Sequence, residues 1–239
     1  MPRSEAHAET PSRAGDGRRT AERAHPVTVG AKRFAKTLLR PLLYRYPPIG
    51  LQPERLQLWL RTLIETGAVD GDVVEVGCSL GGTAAFSWRM LRNLDIAKRY
   101  LCVDTFEGFV PEQFDDDLGR GNREANRWLF ADNSRALVRA ILDQHGAREV
   151  GLLQGDIVTL AESQLPPRLS AALLDVDLAL PIHEGLKKLY PRLAPGGVIV
   201  VDDCPEHYDW QARQGYERFC EDAGIAPRYE LGMGLVRKD

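Results

Sequence analysis

No stretch of this 239-residue chain stays apolar for ~18 residues, so nothing in it reads as a membrane span. The N-terminus lacks the apolar core of a secretory signal. Cysteine is scarce and scattered: Cys78, Cys102, Cys204 and Cys220 form no C-x-x-C pair. That excludes a disulfide or zinc framework and predicts reduced thiols in a cytoplasmic protein. Positive charge is missing from the body. Residues 1–46 hold ten Lys/Arg against four Asp/Glu, and the remainder 21 against 30, so +6 and −9 sum to the net −3. An acidic body argues against nucleic acid as the main partner. Both common nucleotide loops are absent, G-x-G-x-x-G and G-x-x-x-x-G-K-[ST].

What is present suits one domain with its own core, at 44% hydrophobic and 27% charged residues. Residues 1–28, rich in Arg, Ala, Glu, Gly and Ser, read as a disordered tail. Residues 29–70 read as a helical lid. A basic amphipathic stretch, GAKRFAKTLLRPLLYRY, ends at Pro47 and Pro48, and QPERLQLWLRTLIETG forms a helix between Pro53 and Gly67. From residue 71 to 239 strand patterns alternate with helix patterns, and PRYELGMGLVRKD closes the chain as a hairpin. This predicts an α/β fold: a Rossmann-like, doubly wound, mostly parallel seven-stranded sheet with an antiparallel C-terminal hairpin. Residues 107–133 read as a long substrate loop.

The segment VVEVGCSLGGT lies where a strand meets a helix. Gly77 permits a tight turn, while Gly81 and Gly82 admit a ligand near the backbone and open the helix. Glu75 on the strand suits a cationic ligand better than a pyrophosphate, and S-adenosylmethionine is such a ligand. Asp104 ends the next strand, where a carboxylate accepts ribose hydroxyls. Asp156 ends the third, placed either for an adenine amino group or as a cap. Ligands of such sheets bind beyond the carboxyl ends of the strands, where all three acids fall.

Two further strands end in acids, LLDVD at Asp175 and Asp177 and VIVVDD at Asp202 and Asp203. Like charges so close disfavour joint ionisation unless a cation joins them. If these strands are neighbours, Asp175, Asp202 and Asp203 converge, and an all-oxygen set favours Mg2+, Mn2+ or Ca2+ over zinc. A cation there acidifies and aligns a substrate hydroxyl. The alternative is a solvent-facing cap.

EVGCSLGGT, DTFEGF, LLDVDL and YPRLAPGGVIVVDD together resemble the macrocin O-methyltransferase (TylF/MycF) family over about residues 70–205. The resemblance implies an S-adenosylmethionine-dependent, often Mg2+-dependent enzyme that methylates hydroxyls of natural products, notably antibiotic sugars. It implies cofactor contacts at Glu75, Gly77 and Asp104, supported by Ser79, Thr83 and Phe106. It implies metal ligation by Asp175, Asp202 and Asp203, with Asp175 near enough to the nucleophile to take its proton. Related catechol-type enzymes carry a lysine where this chain has Leu178. The family's L-Y-E-x-T is replaced here by Ala179, Leu180 and Ile182, which gives a more apolar wall and an acceptor that need not be the usual sugar.

His207, in the loop after the aspartate pair, is a general-base candidate or a surface residue. His183 reads as a capping or packing residue. Trp128, Tyr208 and Trp210 either stack on an acceptor or pack a lid. Asp115–Asp117 read as a solvated acidic loop rather than a second metal site. The expected protein is a divalent-metal-assisted O-methyltransferase acting on a small natural product, as a homodimer. Its rivals are a metal-independent N- or O-methyltransferase with His207 or Asp177 as base, and a non-catalytic scaffold that keeps the fold.

Overall fold

A computed structural model describes residues 26–239. The tail expected over residues 1–28 lies outside the described residues as far as residue 25, and helix α1 (Pro26–Leu38) takes up the rest. A one-turn helix α2 (Arg40–Leu43) follows, then α3 (Pro53–Glu65), which begins on Pro53 with Glu54 in its first turn. The remaining helices and strands are β1 (Asp72–Val76), α4 (Gly82–Asn93), β2 (Tyr100–Asp104), α5 (Pro111–Gly119), α6 (Arg135–Gln144), β3 (Gly151–Gln154), β4 (Leu169–Leu174), α7 (Ala179–Leu189), β5 (Leu193–Val201), α8 (Ala212–Ala223), β6 (Tyr229–Glu230) and β7 (Met233–Arg237).

The seven strands run in the order β3-β2-β1-β4-β5-β7-β6. The first five are parallel, and β7 pairs antiparallel with both β5 and β6. The mostly parallel seven-stranded sheet with an antiparallel C-terminal hairpin, expected from the alternation of strands and helices, is thus observed. One sheet face packs Val73, Cys102, Leu173 and Val200 against Trp59 of α3, Trp88 of α4 and Val138 of α6. The other packs Val74, Val103, Leu174 and Ile199 against Ile182 and Leu186 of α7 and Tyr216 of α8. The alternation within each strand divides these two sets, as a sheet covered on both faces requires.

The register places the site. Val103, Val76, Leu174 and Val201 lie side by side across β2, β1, β4 and β5. The next residues are Asp104, Gly77, Asp175 and Asp202, and they form one row. The ladder runs on by one bond at each step: Gly77 N donates to Val103 O at 2.9 Å, Asp175 N to Val76 O at 2.8 Å, and Asp202 N to Leu174 O at 2.8 Å.

The long loop expected over residues 107–133 is a correction. It contains α5 and a single 3-10 turn at Glu124–Asn126. Three consecutive aspartates hid the helix, because Asp is a poor helix former. Pro111 starts α5, and Gln113, Phe114 and Asp117 bury one side of it.

Candidate active site

The cofactor-side residues are set by the ends of β1, β2 and β3. Gly77 has φ +86, and a Cβ there would sit 1.8 Å from the Asp175 carbonyl oxygen, so only glycine lets β1 leave the sheet beside β4. Asp104 accepts Ser79 N–H at 2.9 Å and Phe106 N–H at 2.7 Å. Burial pushes the Asp104 carboxyl up, and those two N–H donors oppose the shift. Asp156 accepts Val158 N–H at 3.0 Å and the Gln113 amide at 3.0 Å. It therefore caps its own turn and also lines the cavity. Asn133 donates to Ser79 O at 2.7 Å and fixes that loop from the far side.

Gly77, Ser79, Asp104 and Asp156 line a single cavity together with Asp175, Asp177, Asp202 and Asp203. Glu75, Thr83, Phe106 and His207 are not brought to it. Glu75 shares the face of Gly77 but lies two residues deeper, under α3 and α4. It accepts the Tyr100 hydroxyl, and burial pushes its carboxyl up to about 8. It therefore lies beneath the cavity, in contact with Tyr100, and not on the cavity's lining. Thr83 is buried in α4, and the Phe106 side chain belongs to the core. His207 is exposed at φ +56. A Cβ on Gly81 would lie 3.0 Å from Val138 of α6. A Cβ on Gly82 would lie 2.1 Å from Pro48 O, so this glycine seats the N-terminal segment on α4.

The acid side brings all four aspartates to the cavity, and three of them form a closer group. Asp175, Asp177 and Asp203 each offer a carboxylate oxygen within 4.8 Å of the other two, whereas Asp202 stands outside that group. Asp177 and Asp203 adopt φ +62 and +56, which turn the chain back over the strand ends. Asp202 is taken up by Arg55 of α3, whose Nη1 donates to Asp202 Oδ1 at 2.9 Å and to Asp203 Oδ1 at 2.5 Å. Burial first, then the neighbouring acids, push Asp175 and Asp177 well above the usual carboxylate range. Burial and Asp203 raise Asp202 to about 6, against the pull of Arg55. Three hard oxygen donors this close, repelling one another, fit a divalent cation, and Asp175, Asp177 and Asp203 would hold it.

A roof covers the acids. Phe109 packs against Phe114 at 5.4 Å, Trp210 at 5.6 Å and Phe130 at 5.7 Å between ring centroids. Phe109, Phe130, Tyr208 and Trp210 line the cavity, while Trp128 does not. Asp117 of α5, fully buried, accepts Ala179 N–H at 3.2 and 3.3 Å through its two oxygens. The roof helix is thereby bolted to the start of α7, two residues after Asp177. Asp115 pairs with Arg127 and Asp116 with Arg120, so the acidic run forms no second metal group among the described residues. His183 is buried between Glu184 and Asp222, in the packing role expected for it. Arg55, Gln113, Asn133 and Asp117 had no signal in the sequence beyond their polarity, because each reaches the site from a remote segment.

A family model described as Macrocin-O-methyltransferase (TylF) matches residues 45–228, which extends the resemblance to include α3 and α8. The 8-demethyl-8-(2,3-dimethoxy-alpha-L-rhamnosyl)-tetracenomycin-C 4'-O-methyltransferase of Streptomyces olivaceus is 32% identical over 166 residues, 65% of this chain and 61% of that one. The mycinamicin III 3''-O-methyltransferase of Micromonospora griseorubida is 30% identical over 141 residues, 56% of each chain. This chain thus spans less than two thirds of the length of either relative. The solved structure of the O-methyltransferase NovP superposes with a TM-score of 0.65 at 20% identity, over 77% of this chain and 79% of that one. The fold is that of the class I methyltransferases.

Proposed function

Because the chain belongs to the macrocin O-methyltransferase (TylF) family, we propose that it moves a methyl group from S-adenosylmethionine to a hydroxyl of a small natural product, a sugar or another secondary-metabolite acceptor, with a divalent cation (Mg2+ or Mn2+) assisting. The observation that carries this reading is the row Asp104, Gly77, Asp175. It runs the donor-side residues directly into the acid cluster within one cavity. When bound, the cofactor supplies an electrophilic methyl group and the cation a Lewis acid that lowers the hydroxyl pKa. Asp104 holds the ribose hydroxyls, and Asp156 with Gln113 faces the adenine. Gly77 leaves room for the rest of the donor. The roof aromatics exclude water and align the acceptor. Asp177 accepts the acceptor's proton: it lines the cavity beside Asp175 and Asp203. Asp175 shares that role.

Turnover of a hydroxylated acceptor should vanish in EDTA and return with Mg2+. Asp177→Asn should lower kcat by about 10²-fold or more while leaving S-adenosylhomocysteine binding intact. Full activity in chelator would instead favour the metal-independent reading, with Asp177 and not the exposed His207 as base. Absence of S-adenosylhomocysteine binding in calorimetry would favour a scaffold.

Support for a homodimer comes from α1 and α2, which leave Phe34, Leu38 and Leu42 exposed, and its mass in solution tests that. Among the described residues no helix is long and apolar enough to cross a membrane. The four free, buried thiols agree with a reducing, cytoplasmic setting.

A further inference from the structure

The turn that carries Asp156 is held by a helix from the other half of the sheet. Asp156 O accepts Thr159 N–H at 3.1 Å and Leu160 N–H at 2.8 Å, so residues 157–160 make one helical turn that goes no further. A helical turn that stops leaves its last carbonyls without partners. Lys188 of α7 supplies them here. Its Nζ donates to Ile157 O at 2.8 Å, Val158 O at 2.7 Å and Leu160 O at 2.8 Å. An ammonium has three protons and no acceptor, so all three are committed to this turn. Gly185, one turn earlier in α7, lets the helix lie close: a Cβ there would stand 2.9 Å from Leu174 and 3.5 Å from Ile157. Ile157 and Leu160 are buried in one cluster with Leu186 and Leu189 of the same helix.

The other side of this turn opens on the cavity, which Gly155, Asp156 and Ile157 line. Asp156 Oδ2 accepts the Gln113 amide at 3.0 Å and the Thr159 hydroxyl at 3.3 Å, while Oδ1 accepts Val158 N–H at 3.0 Å. A carboxylate oxygen has two lone pairs, so Oδ1 keeps one for a ligand N–H. The turn sets where that lone pair points, and Lys188 sets the turn. We propose that Lys188 is a positioning residue for donor recognition: from the far side of the turn, its ammonium fixes the angle at which Asp156 meets the adenine amino group. This rests on the reading of Asp156 as the acid that faces the adenine. Lys188 does not line the cavity, so it acts through the turn and not by contact. Its loss therefore loosens the hold on the amino group alone. Asp104, on the ribose side, is held by Ser79 N–H and Phe106 N–H and keeps its place.

The test uses the full chain and calorimetry with two ligands, S-adenosylhomocysteine and its deaminated analogue S-inosylhomocysteine. The analogue carries a carbonyl in place of the amino group. The unaltered protein should prefer the amino form by about tenfold or more, because a carboxylate lone pair cannot pair with a carbonyl. Lys188→Met keeps the apolar stem and removes the ammonium. It should bind S-adenosylhomocysteine about tenfold more weakly, and S-inosylhomocysteine within about twofold of the unaltered protein, so that the preference collapses. Asp156→Ala should lose the preference by itself, and adding Lys188→Met to it should weaken binding by no more than about a further twofold. Lys188→Arg keeps the charge but not three donors on one atom, so it should fall between, and it carries the comparison if Lys188→Met fails to fold. No change, an equal loss for both ligands, or a fully additive loss in the double variant would overturn the role of Lys188 and leave it a structural brace. An unaltered protein that binds both ligands equally would overturn Asp156 as the reader of the amino group, and the role of Lys188 with it. Absence of S-adenosylhomocysteine binding in the unaltered protein would overturn the donor site itself, which separates that failure from failure of the Lys188 role.

Discussion

At the scale of the residue, Gly77 is the least replaceable position in the site. A left-handed φ and a backbone oxygen 1.8 Å from any Cβ act together. Gly77→Ala should therefore destabilise the fold by about 3 kcal/mol or more, read as a lower urea midpoint, with donor binding lost alongside. This residue, Asp104 and Asp156 were legible in the sequence because each closes a strand, and a strand end in an open α/β sheet has one destination. Glu75 was misread for a related reason. Two residues back along β1 the side chain keeps the same face, but the helices have already covered that face. Arg55 was illegible: nothing in PERLQLW distinguishes a clamp on two aspartates from an ordinary helix-surface arginine.

At the scale of the element, α5 joins the roof to the machinery beneath it. Asp117 caps α7 from another segment, and its burial pushes its carboxyl up to about 6. The folded-state pKa is raised above the unfolded value of about 3.9. Its favourable contribution is therefore fully present below the unfolded pKa and is lost as pH rises through about 6. Asp117→Ala should cost about 1 kcal/mol of stability at pH 5 and less at pH 8, measured by urea unfolding at both values. The strands and crossover helices could be read from hydrophobic period alone. This helix could not, since its stability comes from tertiary burial of Gln113, Phe114 and Asp117 rather than from local propensity.

At the scale of the whole molecule, the acids set the response to pH and to metal. Glu75, Asp117, Asp175, Asp177 and Asp202 all have raised pKa values, so each favours the folded state less as pH climbs. The metal-free protein should melt at a higher temperature at pH 5 than at pH 8, and Mg2+ should recover part of the difference at pH 8 only. A scan of melting temperature against pH, with and without EDTA, checks this. The sequence revealed that acids gather at the β4 and β5 ends. That Asp202 would pair with Arg55 of α3 was not legible, because helix placement over a sheet is not written in strand patterns.

The central strand has a temporal consequence as well. Val73 of β1 finds Tyr100 on one side and Ala171 on the other. The first partner lies 27 residues on, across the α4 crossover, while the second lies 98 residues on and requires closing a much longer loop. In a chain diluted from denaturant, the half that cradles the donor can condense early, and the seam to β4 limits the rate. Chemical competence is then the last thing to mature, arriving only when distant stretches of chain have met.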